Sequence, residues 1–507
     1  MSGANLAGLI DGPARWHAGG PAIVVGDEVV RDWAAFAGAV ARRAGGLRDR
    51  LGVGPGDAVA LFAANASEYL EALFAIWHAG AVAVPISSRL HAREAADLLD
   101  ASRARACLVT ADVADALAAT APSATAVVAL DDRALLGEAI APVRRAPGDD
   151  AWIFFTSGTT GRAKGARISH ANLLAMAAAY HADVAAVGPD DAILHVAALS
   201  HASGLFSLPF VARGGPQVLP ASGRFDAAEV LELVARHRRS TFFVPPTLLR
   251  RLCEAPALRS ADVERIATVL VGAAPVHPDD LRAGVAALGP RLWNGYGQGE
   301  TPLTITAHGC AAIAAAVADG DEDALRSVGV ARWATRVRVV DADAREAPAG
   351  EVGEVVVDGP TVMAGYLAAP EATARTLRGG WLHTGDLGRF DDAGRLTLVD
   401  RAKDVVITGG NNVYPREVED VLVADPAVAE VAVVGRADPQ WGERLVAFVV
   451  AAPGQAVDAA ALDARCLARI ARHKRPREYV VVDELPRNAA GKVLKAQLRE
   501  GAGDGAR

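Results

Sequence analysis

Short apolar β-type runs alternate with amphipathic helical segments before about residue 335, and this alternation constrains the fold more than any other feature. The run AVALFAA is followed by EYLEALFAIWHAG and then by AVAVPI, which is a strand, a helix and a strand. Similar units begin near Ala192, Thr241 and Thr268. Strands that alternate with helices form βαβ units. We therefore predict an α/β region with a largely parallel sheet, in which ligands bind beyond the carboxyl ends of the strands.

The strand pattern changes twice towards the C-terminus. From about Arg336 the sequence RVRVVDADAREAPAGEVGEVVVDGP and, further on, GRLTLVDR alternate strands with turn residues, as an antiparallel barrel-like module requires. After Asp400 the stretches PREVEDVLVADPAVAEVAVVG and RLVAFVVAA predict a small α+β domain, and we place its boundary near Lys403. The predicted domains are residues 1–402, an α/β domain that includes the barrel-like module, and residues 403–507.

Length, composition and charge restrict the class of protein. The chain has 507 residues, of which 51% are hydrophobic, and this is enough for a well-buried core in at least two domains. The formal net charge is -8 and no run of basic residues occurs, so nothing favours a nucleic acid or an anionic membrane as the partner. We therefore expect small-molecule partners.

The sequence favours a cytoplasmic location. The N-terminal stretch MSGANLAGLIDGPARW lacks the basic residues and the uninterrupted apolar core of a signal peptide. The most apolar stretch, Ala72 to Ile86, is interrupted by glycine and proline and is too short to cross a bilayer, so we expect buried structure there. The cysteines lie far apart and form no CxxC pair, which suits reduced thiols and offers no zinc site.

A turn-rich stretch, TSGTTGRAKGA at Thr156, is the strongest chemical signal in the chain. It follows the apolar β run Trp152 to Phe155 and precedes the helical stretch His170 to Ala179, so its expected setting is strand, loop and helix. Three glycines let backbone N–H groups turn towards an anion, and hydroxyls and Lys164 add donors and positive charge. This predicts polyphosphate binding, although composition alone also allows an ordinary surface loop. The Walker and dinucleotide patterns do not match.

The stretch FFTSGTTGRAKG resembles the phosphate-loop signature of the adenylate-forming enzymes, which include acyl- and aryl-CoA synthetases, luciferases and peptide-synthetase adenylation domains. Four further stretches match in the same order: GYGQGET, HTGD, RAKDVVITGGNNVYPREVE and PRNAAGKVLK. The resemblance spans nearly the whole chain. It implies a large N-terminal domain that ends in a barrel, and a small mobile C-terminal domain.

The resemblance implies an ATP-dependent carboxylate–CoA ligase, which forms an acyl-AMP, releases pyrophosphate and transfers the acyl group to CoA. Its implied catalytic residues are Thr156, Lys164, Glu300 as the Mg²⁺ ligand, and Lys492. A carboxylic acid is ionised at neutral pH, so its attack on the α-phosphate needs charge neutralisation and no general base. The implied ATP/AMP site consists of Thr156, Ser157, Gly158, Thr159, Thr160, Gly161, Lys164, Ala273, Ala274, Asn294, Gly295, Tyr296, Gly297, Asp386 and Arg401.

The resemblance also implies a rotation of the C-terminal domain between the two half-reactions. Lys403 occupies the hinge position. Gly409 and Gly410 would then lie beside the pantetheine arm of CoA, where backbone without side chains approaches closely, and Lys474 belongs to the same CoA site. Adenylation uses Lys492, and thioester formation presents the CoA thiol where Lys492 had been.

Two positions depart from the family pattern. Ala163 replaces a common proline in the phosphate loop. Alanine leaves the chain more conformational entropy than proline, so we expect the loop to be less rigid, at a cost of well under about 1 kcal/mol. Gly299 stands where many relatives have a threonine whose hydroxyl reaches the α-phosphate. Such a hydrogen bond to a charged group contributes about 1.5 to 3 kcal/mol unless a neighbour or water replaces it. We expect Thr301 to point elsewhere, so Gly299 puts the efficiency of the reaction in question.

The stretch LSHASGLF resembles the part of acyl- and aryl-CoA synthetases in which His201 borders the acyl pocket, and it argues against an amino-acid substrate. The expected pocket is lined mostly by small or apolar residues and favours a fatty or aryl acid. Arg282 is the candidate cation for a malonate-type dicarboxylate, although a solvated helix face explains it better. The predicted pocket residues are His201, Phe206, Phe243, Val244, Gly272, Gly297 and Gln298.

Two alternatives to a CoA ligase stay open at this stage. An acyl-adenylate ligase that loads a carrier protein differs only in the acceptor. A degenerate, non-catalytic binding protein is the alternative from another class, and Gly299 is its only support. The sequence does not determine the oligomeric state, and a homodimer is the assembly to test. Acid-dependent exchange of pyrophosphate into ATP separates an enzyme from a degenerate fold.

Overall fold

The computed structural model describes residues 4–156, 163–408, 410–487 and 493–500. The chain divides into two compact units. Unit 1 comprises Met1–Val337 and Val357–His383, and unit 2 comprises Arg338–Val356 and Thr384–Arg507. The domain boundary at 402/403 falls within unit 2 and stays a prediction.

Strands and helices alternate along the chain. The strands are β1 (Pro21–Val25), β2 (Glu28–Asp32), β3 (Ala58–Ala63), β4 (Val82–Ser87), β5 (Ala106–Val109), β6 (Ala126–Ala129), β7 (Asp150–Thr156), β8 (Lys164–Ser169), β9 (Asp191–Leu194), β10 (Gln217–Leu219), β11 (Arg239–Val244), β12 (Ile266–Val271), β13 (Leu292–Gln298), β14 (Thr301–His308), β15 (Val330–Ala331), β16 (Arg336–Val340), β17 (Gly353–Asp358), β18 (Gly365–Tyr366), β19 (Leu377–Arg378), β20 (Trp381–Phe390), β21 (Leu396–Arg401), β22 (Val406–Thr408), β23 (Asn411–Val413), β24 (Val428–Asp438), β25 (Gly442–Ala451) and β26 (Glu478–Val481).

The α-helices are α1 (Asp11–Trp16), α2 (Trp33–Leu51), α3 (Ser67–His78), α4 (Ala92–Ser102), α5 (Ala111–Ala118), α6 (His170–Asp183), α7 (Ala202–Ala212), α8 (Ala227–Arg236), α9 (Pro246–Cys253), α10 (Pro278–Leu288), α11 (Cys310–Asp319), α12 (Glu322–Arg326), α13 (Pro370–Thr376), α14 (Pro415–Val423), α15 (Ala459–Arg469) and α16 (Lys495–Glu500). Short 3₁₀ helices add Leu6–Ile10, Arg133–Leu135, Pro256–Ser260, Val263–Arg265, Ala402–Asp404 and Arg472–Lys474. In the described parts of the chain, no helix combines the length and the apolar character that crossing a membrane requires.

Unit 1 contains two large sheets with parallel centres. The nine-stranded sheet has the order β15-β14-β13-β12-β11-β9-β10-β1-β2, and the seven-stranded sheet has the order β18-β8-β7-β4-β3-β5-β6. The strands from β13 to β1 are parallel, as are those from β7 to β6, and antiparallel strands complete the edges. The predicted α/β class with largely parallel sheets is confirmed.

The central strands form because their apolar runs are buried on both faces. Strands β3 and β4 are buried at every position, and α3 buries the tryptophan and phenylalanine of the stretch that was too short to span a bilayer. Edge-to-face contacts join Phe36, Phe74 and Trp77, and Trp77 packs on Trp152 of β7. Near-continuous apolar strands of this kind require helices on both faces of a parallel sheet. This packing fixes β7, and with it the strand end that begins the phosphate loop.

Unit 2 is a smaller α+β body. Its sheet has the order β23-β22-β25-β24, with β26 parallel to β25, and helix α14 packs on β24. The antiparallel β20/β21 pair joins Asp386 to Arg401 in register. The boundary between the two units crosses strands β16, β17 and β20. The antiparallel strands and the small α+β region expected after Arg336 are therefore present.

One expectation about local structure is wrong. The phosphate loop does not lead directly into a helix, because β8 stands between the loop and α6 and pairs antiparallel with β7. The pairs Thr156↔Lys164 and Phe155↔Gly165 close this hairpin around residues 157–162. The sequence of β8, KGARIS, alternates polar and apolar residues over only a short run, which turn-rich composition concealed. Strand β7 is therefore followed by a paired strand before helix α6 begins.

Candidate active site

The candidate site of unit 1 lies where the carboxyl ends of its two sheets meet. Thr156 is the last residue of β7 in the seven-stranded sheet, and Glu300 lies in the two-residue connection between β13 and β14 of the nine-stranded sheet. The Thr156 hydroxyl donates to Glu300 Oε1 at 3.1 Å, across 144 residues of sequence. The structure thus brings two predicted catalytic residues from separate motifs into direct contact.

A second hydroxyl binds the same carboxylate oxygen. The Tyr366 hydroxyl, from β18, donates to Glu300 Oε1 at 2.8 Å. The Glu300 side chain is only 8% exposed, so these two hydrogen bonds replace much of the solvation that burial removes. Among the described residues, none donates a hydrogen bond to Glu300 Oε2. The described residues therefore hold Glu300 through Oε1.

Lys164 begins β8 opposite Thr156. Its ammonium lies 5.4 Å from the centre of the Tyr366 ring, and its carbonyl oxygen lies 3.5 Å from the Thr156 hydroxyl oxygen. The predicted phosphate-loop residues between these two positions lie outside the described residues. They are Ser157, Gly158, Thr159, Thr160 and Gly161.

The structure explains the glycine at position 299. A Cβ there would lie 2.6 Å from Phe154 Cδ1 and 2.7 Å from Thr156 Cγ2. The space that a threonine needs is filled by these side chains. Thr301 does not replace the missing hydroxyl, since it is fully buried and its Oγ1 accepts from the Gln298 backbone N–H at 3.4 Å. Thr301 points elsewhere, as the sequence predicts.

The predicted nucleotide residues of the nine-stranded sheet lie within or just beyond two neighbouring parallel strands, β12 and β13. Ala273 and Ala274 are exposed just beyond β12, and Ala273 has a φ of 67°, which non-glycine residues rarely adopt. Asn294 and Tyr296 are buried within β13. The glycines of β13 allow close packing, because a Cβ on Gly295 would lie 2.3 Å from the Trp293 ring, and one on Gly297 would lie 2.6 Å from Leu303 Cα.

The candidate acyl pocket contains an aromatic cluster. The rings of Phe206 and Phe243 lie 5.8 Å apart, and Tyr180 stands edge-on to Phe206. His201 precedes α7 and is half-buried, with its ring perpendicular to Phe154 at 5.8 Å. The Ser200 hydroxyl lies 2.8 Å from His201 Nδ1. Burial, assisted by the positive charge of Arg89, lowers the pKa of His201, so this side chain is neutral at pH 7.

Three other predicted pocket residues lie in different settings. Val244 is fully buried in the cluster on the other face of the nine-stranded sheet, because neighbouring residues of a strand face opposite sides. The structure does not bring it together with Phe206 and Phe243. Gly272 is buried, and a Cβ there would lie 3.5 Å from the Phe243 ring. Gln298 is half-buried at the end of β13.

Arg282 is already paired. It donates to Asp279 Oδ1 at 2.7 Å and forms a second ion pair with Glu322, on the surface of α10. A guanidinium neutralised by two carboxylates is a poor receptor for a third. The solvated helix face is thus the better explanation of this residue, as expected.

The candidate residues of unit 2 are described separately. Asp386 is 5% exposed and forms an ion pair with Arg401 across the β20/β21 ladder. Lys403 is exposed in the 3₁₀ helix Ala402–Asp404. Gly410 has a φ of 77°, in the left-handed region that favours glycine, and a Cβ there would meet nothing within 4 Å.

Lys474 has a partner within unit 2. Its ammonium bonds both oxygens of Glu417, at 2.7 and 2.8 Å. A phosphate of CoA would have to compete with this ion pair. Lys492 and Gly409 lie outside the described residues, so their assignments stay predictions from the resemblance.

Sequence reasoning missed Tyr366 and Phe154. Phe154 lies two residues before Thr156 in β7, so the two-residue period of a strand places it on the same face and was a usable signal. Tyr366 offered no such signal. It reaches the site only because β18 pairs with β8, with Tyr366 opposite Ala166.

Comparison with known proteins identifies the family of the chain. Residues 13–367 match the model of the AMP-binding enzymes, and residues 417–492 match that of the AMP-binding enzyme C-terminal domain. The chain is 38% identical over 464 residues to a feruloyl-CoA synthase of an Amycolatopsis species, covering 91% of each chain. It is 34% identical over 477 residues to a long-chain-fatty-acid–CoA ligase of Mycobacterium tuberculosis, again covering 91% of each.

A solved structure gives the same answer. ATP-bound MatB from Rhodopseudomonas palustris superposes with a TM-score of 0.87 at 31% identity, and 99% of each chain is covered. The ordered motifs, the fold and these matches agree. The chain therefore belongs to the AMP-binding family of adenylate-forming enzymes, the superfamily that includes the acyl-CoA synthetases.

Proposed function

We propose that this protein is an AMP-forming carboxylate–CoA ligase. It joins a carboxylic acid to the α-phosphate of ATP, releases pyrophosphate, and transfers the acyl group from the acyl-AMP to the thiol of CoA. The observation that carries the proposal is the contact of Thr156 with Glu300, because it unites the phosphate-loop strand with the acid of the GYGQGET motif at one place. Membership of the AMP-binding family supports the same chemistry.

The residues of the site suit an attack that needs electrostatic help and no base. The substrate carboxylate is ionised at neutral pH and attacks an anionic phosphate. Lys164 carries a positive charge at the end of the phosphate loop, and its contact with the Tyr366 ring leaves that charge intact. Cations and backbone donors placed in advance are the main source of rate enhancement in phosphoryl and nucleotidyl transfer.

The donor set fits Mg²⁺. Glu300 supplies one carboxylate, which accepts hydrogen bonds from two hydroxyls and is 8% exposed. Mg²⁺ is usually held by one or two carboxylates together with phosphate oxygens and water. When bound, the ion would neutralise phosphate charge, and Glu300 would hold it.

We infer an apolar monocarboxylate, aryl or fatty, as the acid. The aromatic rings of Phe206, Phe243 and Tyr180 form one buried apolar cluster, and neutral His201 adds no charge. The relatives named feruloyl-CoA synthase and long-chain-fatty-acid–CoA ligase fall in these two classes. A dicarboxylate is disfavoured because Arg282 is paired with Asp279 and Glu322.

The second half-reaction is assigned to unit 2. In the proposal Asp386 and Arg401 hold the ribose hydroxyls, and rotation about Lys403 exchanges Lys492 for the CoA thiol. Gly409, Gly410 and Lys474 then line the CoA site, in which a phosphate displaces Glu417 from Lys474. The open space at Gly410 supports close approach of the pantetheine arm.

The partners of the proposal are the acid, ATP and CoA. A reducing compartment such as the cytoplasm suits the four cysteines, which are all free. A homodimer is a separate proposal that light scattering coupled to gel filtration tests.

A screen of carboxylic acids tests the function. The protein is incubated with ATP, Mg²⁺, CoA and a panel of ferulate, phenylacetate, octanoate, palmitate and malonate, and thioesters are detected by mass spectrometry. We expect thioester from aryl or fatty monocarboxylates together with AMP and pyrophosphate. Activity with malonate alone would refute the apolar pocket and direct attention to Arg282, for which Arg282→Ala is the diagnostic variant.

A separate experiment identifies the acyl acceptor. The same acids are offered with a phosphopantetheinylated carrier protein in place of CoA. Thioester on CoA supports the ligase proposed here, whereas thioester on the carrier alone supports the carrier-loading alternative. Absence of acid-dependent pyrophosphate exchange with every acid would leave the degenerate binding protein as the better account.

A further inference from the structure

Tyr366 contacts both charged residues of the candidate site. Its hydroxyl donates to Glu300 Oε1 at 2.8 Å, and its ring lies 5.4 Å from the Lys164 ammonium. These two charges are of opposite sign and belong to adjoining motifs. A residue that touches both without carrying a charge can influence how each one is used.

Lys164 and Glu300 do not form a salt bridge with each other in the part of the chain that the structure describes. Such a pair would neutralise the carboxylate that a cation needs and the ammonium that a phosphate needs. Tyr366 gives each of them a different partner. Its hydroxyl satisfies the carboxylate, and its ring face attracts the ammonium through a cation–π interaction.

The two hydroxyl donors also orient the carboxylate. Thr156 and Tyr366 both bind Oε1, so the plane of the Glu300 carboxylate is fixed from two directions. Hydrogen bonds of this kind behind a metal ligand determine which oxygen is offered and how rigidly. The remaining oxygen, Oε2, receives no hydrogen bond from the described residues.

The backbone of Tyr366 is itself fixed. Tyr366 pairs with Ala166 of β8, two residues after Lys164, and its N–H donates to the Thr373 hydroxyl at 2.9 Å. The side chain is therefore carried by the same strand pairing that carries Lys164. This rigidity suits a residue that positions others and does not itself react.

We propose that Tyr366 is a positioning residue that keeps Glu300 available to the divalent cation of the nucleotide and keeps Lys164 available to its phosphates. The inference rests on the proposed function, because it assigns the cation to ATP. Tyr366 takes no part in bond making. Its hydroxyl acts through Glu300, and its ring acts through Lys164.

Binding of ATP in the absence of any acid tests the proposal without turnover. Calorimetric titrations of the full chain are made with Mg²⁺ and with EDTA. Tyr366→Phe keeps the ring and removes the hydroxyl. We expect it to weaken Mg²⁺-dependent ATP binding about tenfold, the factor that corresponds to one hydrogen bond to a charged group, and to leave binding in EDTA unchanged.

Three further variants make the test specific. In a Glu300→Gln background the Tyr366→Phe change should have no further effect on the Mg²⁺ dependence, since both act through one carboxylate. Tyr366→Leu removes the ring as well and should also weaken binding in EDTA. Tyr69→Phe is the matched control, because this buried tyrosine of α3 has a hydroxyl without a hydrogen-bond partner in the described chain. Thermal unfolding confirms that each variant is folded.

The outcomes separate the two proposals. Equal losses with Mg²⁺ and with EDTA in Tyr366→Phe, no loss, or an undiminished loss in the Glu300→Gln background would each overturn the role of Tyr366. If the unmodified protein itself bound ATP no better with Mg²⁺ than with EDTA, the proposed function would fail first.

Discussion

Glu300 in unit 1 and Asp386 in unit 2 are buried carboxylates with different partners. Their exposed fractions are 8% and 5%, so each must be compensated inside the protein. Glu300 accepts hydrogen bonds from the neutral hydroxyls of Thr156 and Tyr366. Asp386 forms an ion pair with the guanidinium of Arg401.

The difference concerns what each carboxylate can still bind. A hydroxyl donor stabilises an anion without cancelling its charge, whereas a guanidinium cancels it. Glu300 is thus suited to a cation that arrives with the nucleotide. Asp386 is suited to accept neutral hydroxyl groups while it holds Arg401 in place. In our proposal these are the metal ligand and the ribose ligand.

The largest effect is expected at Glu300. Glu300→Gln keeps the size and removes the charge, so the rate of acid-dependent pyrophosphate exchange should fall by a factor of about 10² to 10³. Exchange of labelled pyrophosphate into ATP measures it. A fall of less than about tenfold would mean that the carboxylate is structural, and the contrast with Asp386 would be lost.

The second-largest effect is expected from acidification, which should destabilise unit 1 more than unit 2. His170 and His195 of unit 1 are fully buried, and burial lowers the pKa of each to about 4. His170 Nδ1 accepts the Leu6 N–H at 3.2 Å, which requires a neutral ring at that nitrogen. Unit 2 contains a single histidine, His473, which is exposed.

The direction of the change in stability with pH follows from proton uptake by the two histidines. The unfolded chain binds protons at these two histidines near pH 6.5, and the folded chain binds them only near pH 4, so stability is complete above pH 6.5 and falls below it. Between pH 6.5 and 5 the loss should be about 3 kcal/mol for both together. Denaturant unfolding at the two pH values measures this. His195→Gln should reduce the pH dependence, and an unchanged slope would contradict the assignment.

A smaller effect is expected at Asp386. Asp386→Asn leaves Arg401 without its anion but keeps a hydrogen-bonding side chain, so ATP should bind about tenfold more weakly with kcat little changed. Steady-state kinetics at varied ATP measures both. A loss in kcat as large as that of Glu300→Gln would make the two carboxylates equivalent and refute the comparison.

The smallest effect on the rate is expected at Gly299. Gly299→Thr restores the residue that the family pattern favours, yet its Cβ would lie 2.6 Å from Phe154 and 2.7 Å from Thr156. We expect destabilisation by about 1 to 3 kcal/mol and no gain in rate, because the crowded Thr156 would lose its contact with Glu300. Denaturant unfolding and pyrophosphate exchange check it, with Gly309→Ala as control because its Cβ meets nothing within 4 Å. A faster, equally stable variant would contradict this explanation.

The fold followed from the sequence where local periodicity decides structure. The runs at Ala58, Thr241 and Thr268 predicted parallel strands, and β3, β11 and β12 confirm them. Strand β8 was not predicted from the sequence, because its six residues alternate only weakly and the glycines around them indicate a turn. Its existence depends on pairing with β7, which is a property of the folded chain.

The site divides in the same way. Motifs located Thr156, Lys164 and Glu300, and their order along the chain was sufficient for the family and its reaction. Motifs did not locate Tyr366. It is 66 residues from Glu300 in the sequence and reaches that carboxylate only because β18 pairs with β8. The face on which Val244 lies likewise depends on strand register within the nine-stranded sheet.

The sequence by itself determined the α/β class, the two kinds of domain and the adenylate-forming chemistry. Periodicity and motifs are local patterns, so they can be recognised from the order of the residues alone. Only the tertiary structure decided that Glu300 is held by two hydroxyls, that Gly299 has no room for a side chain, and that Arg282 is neutralised. These depend on atoms brought within a few ångströms from distant parts of the chain, and no local pattern encodes such distances.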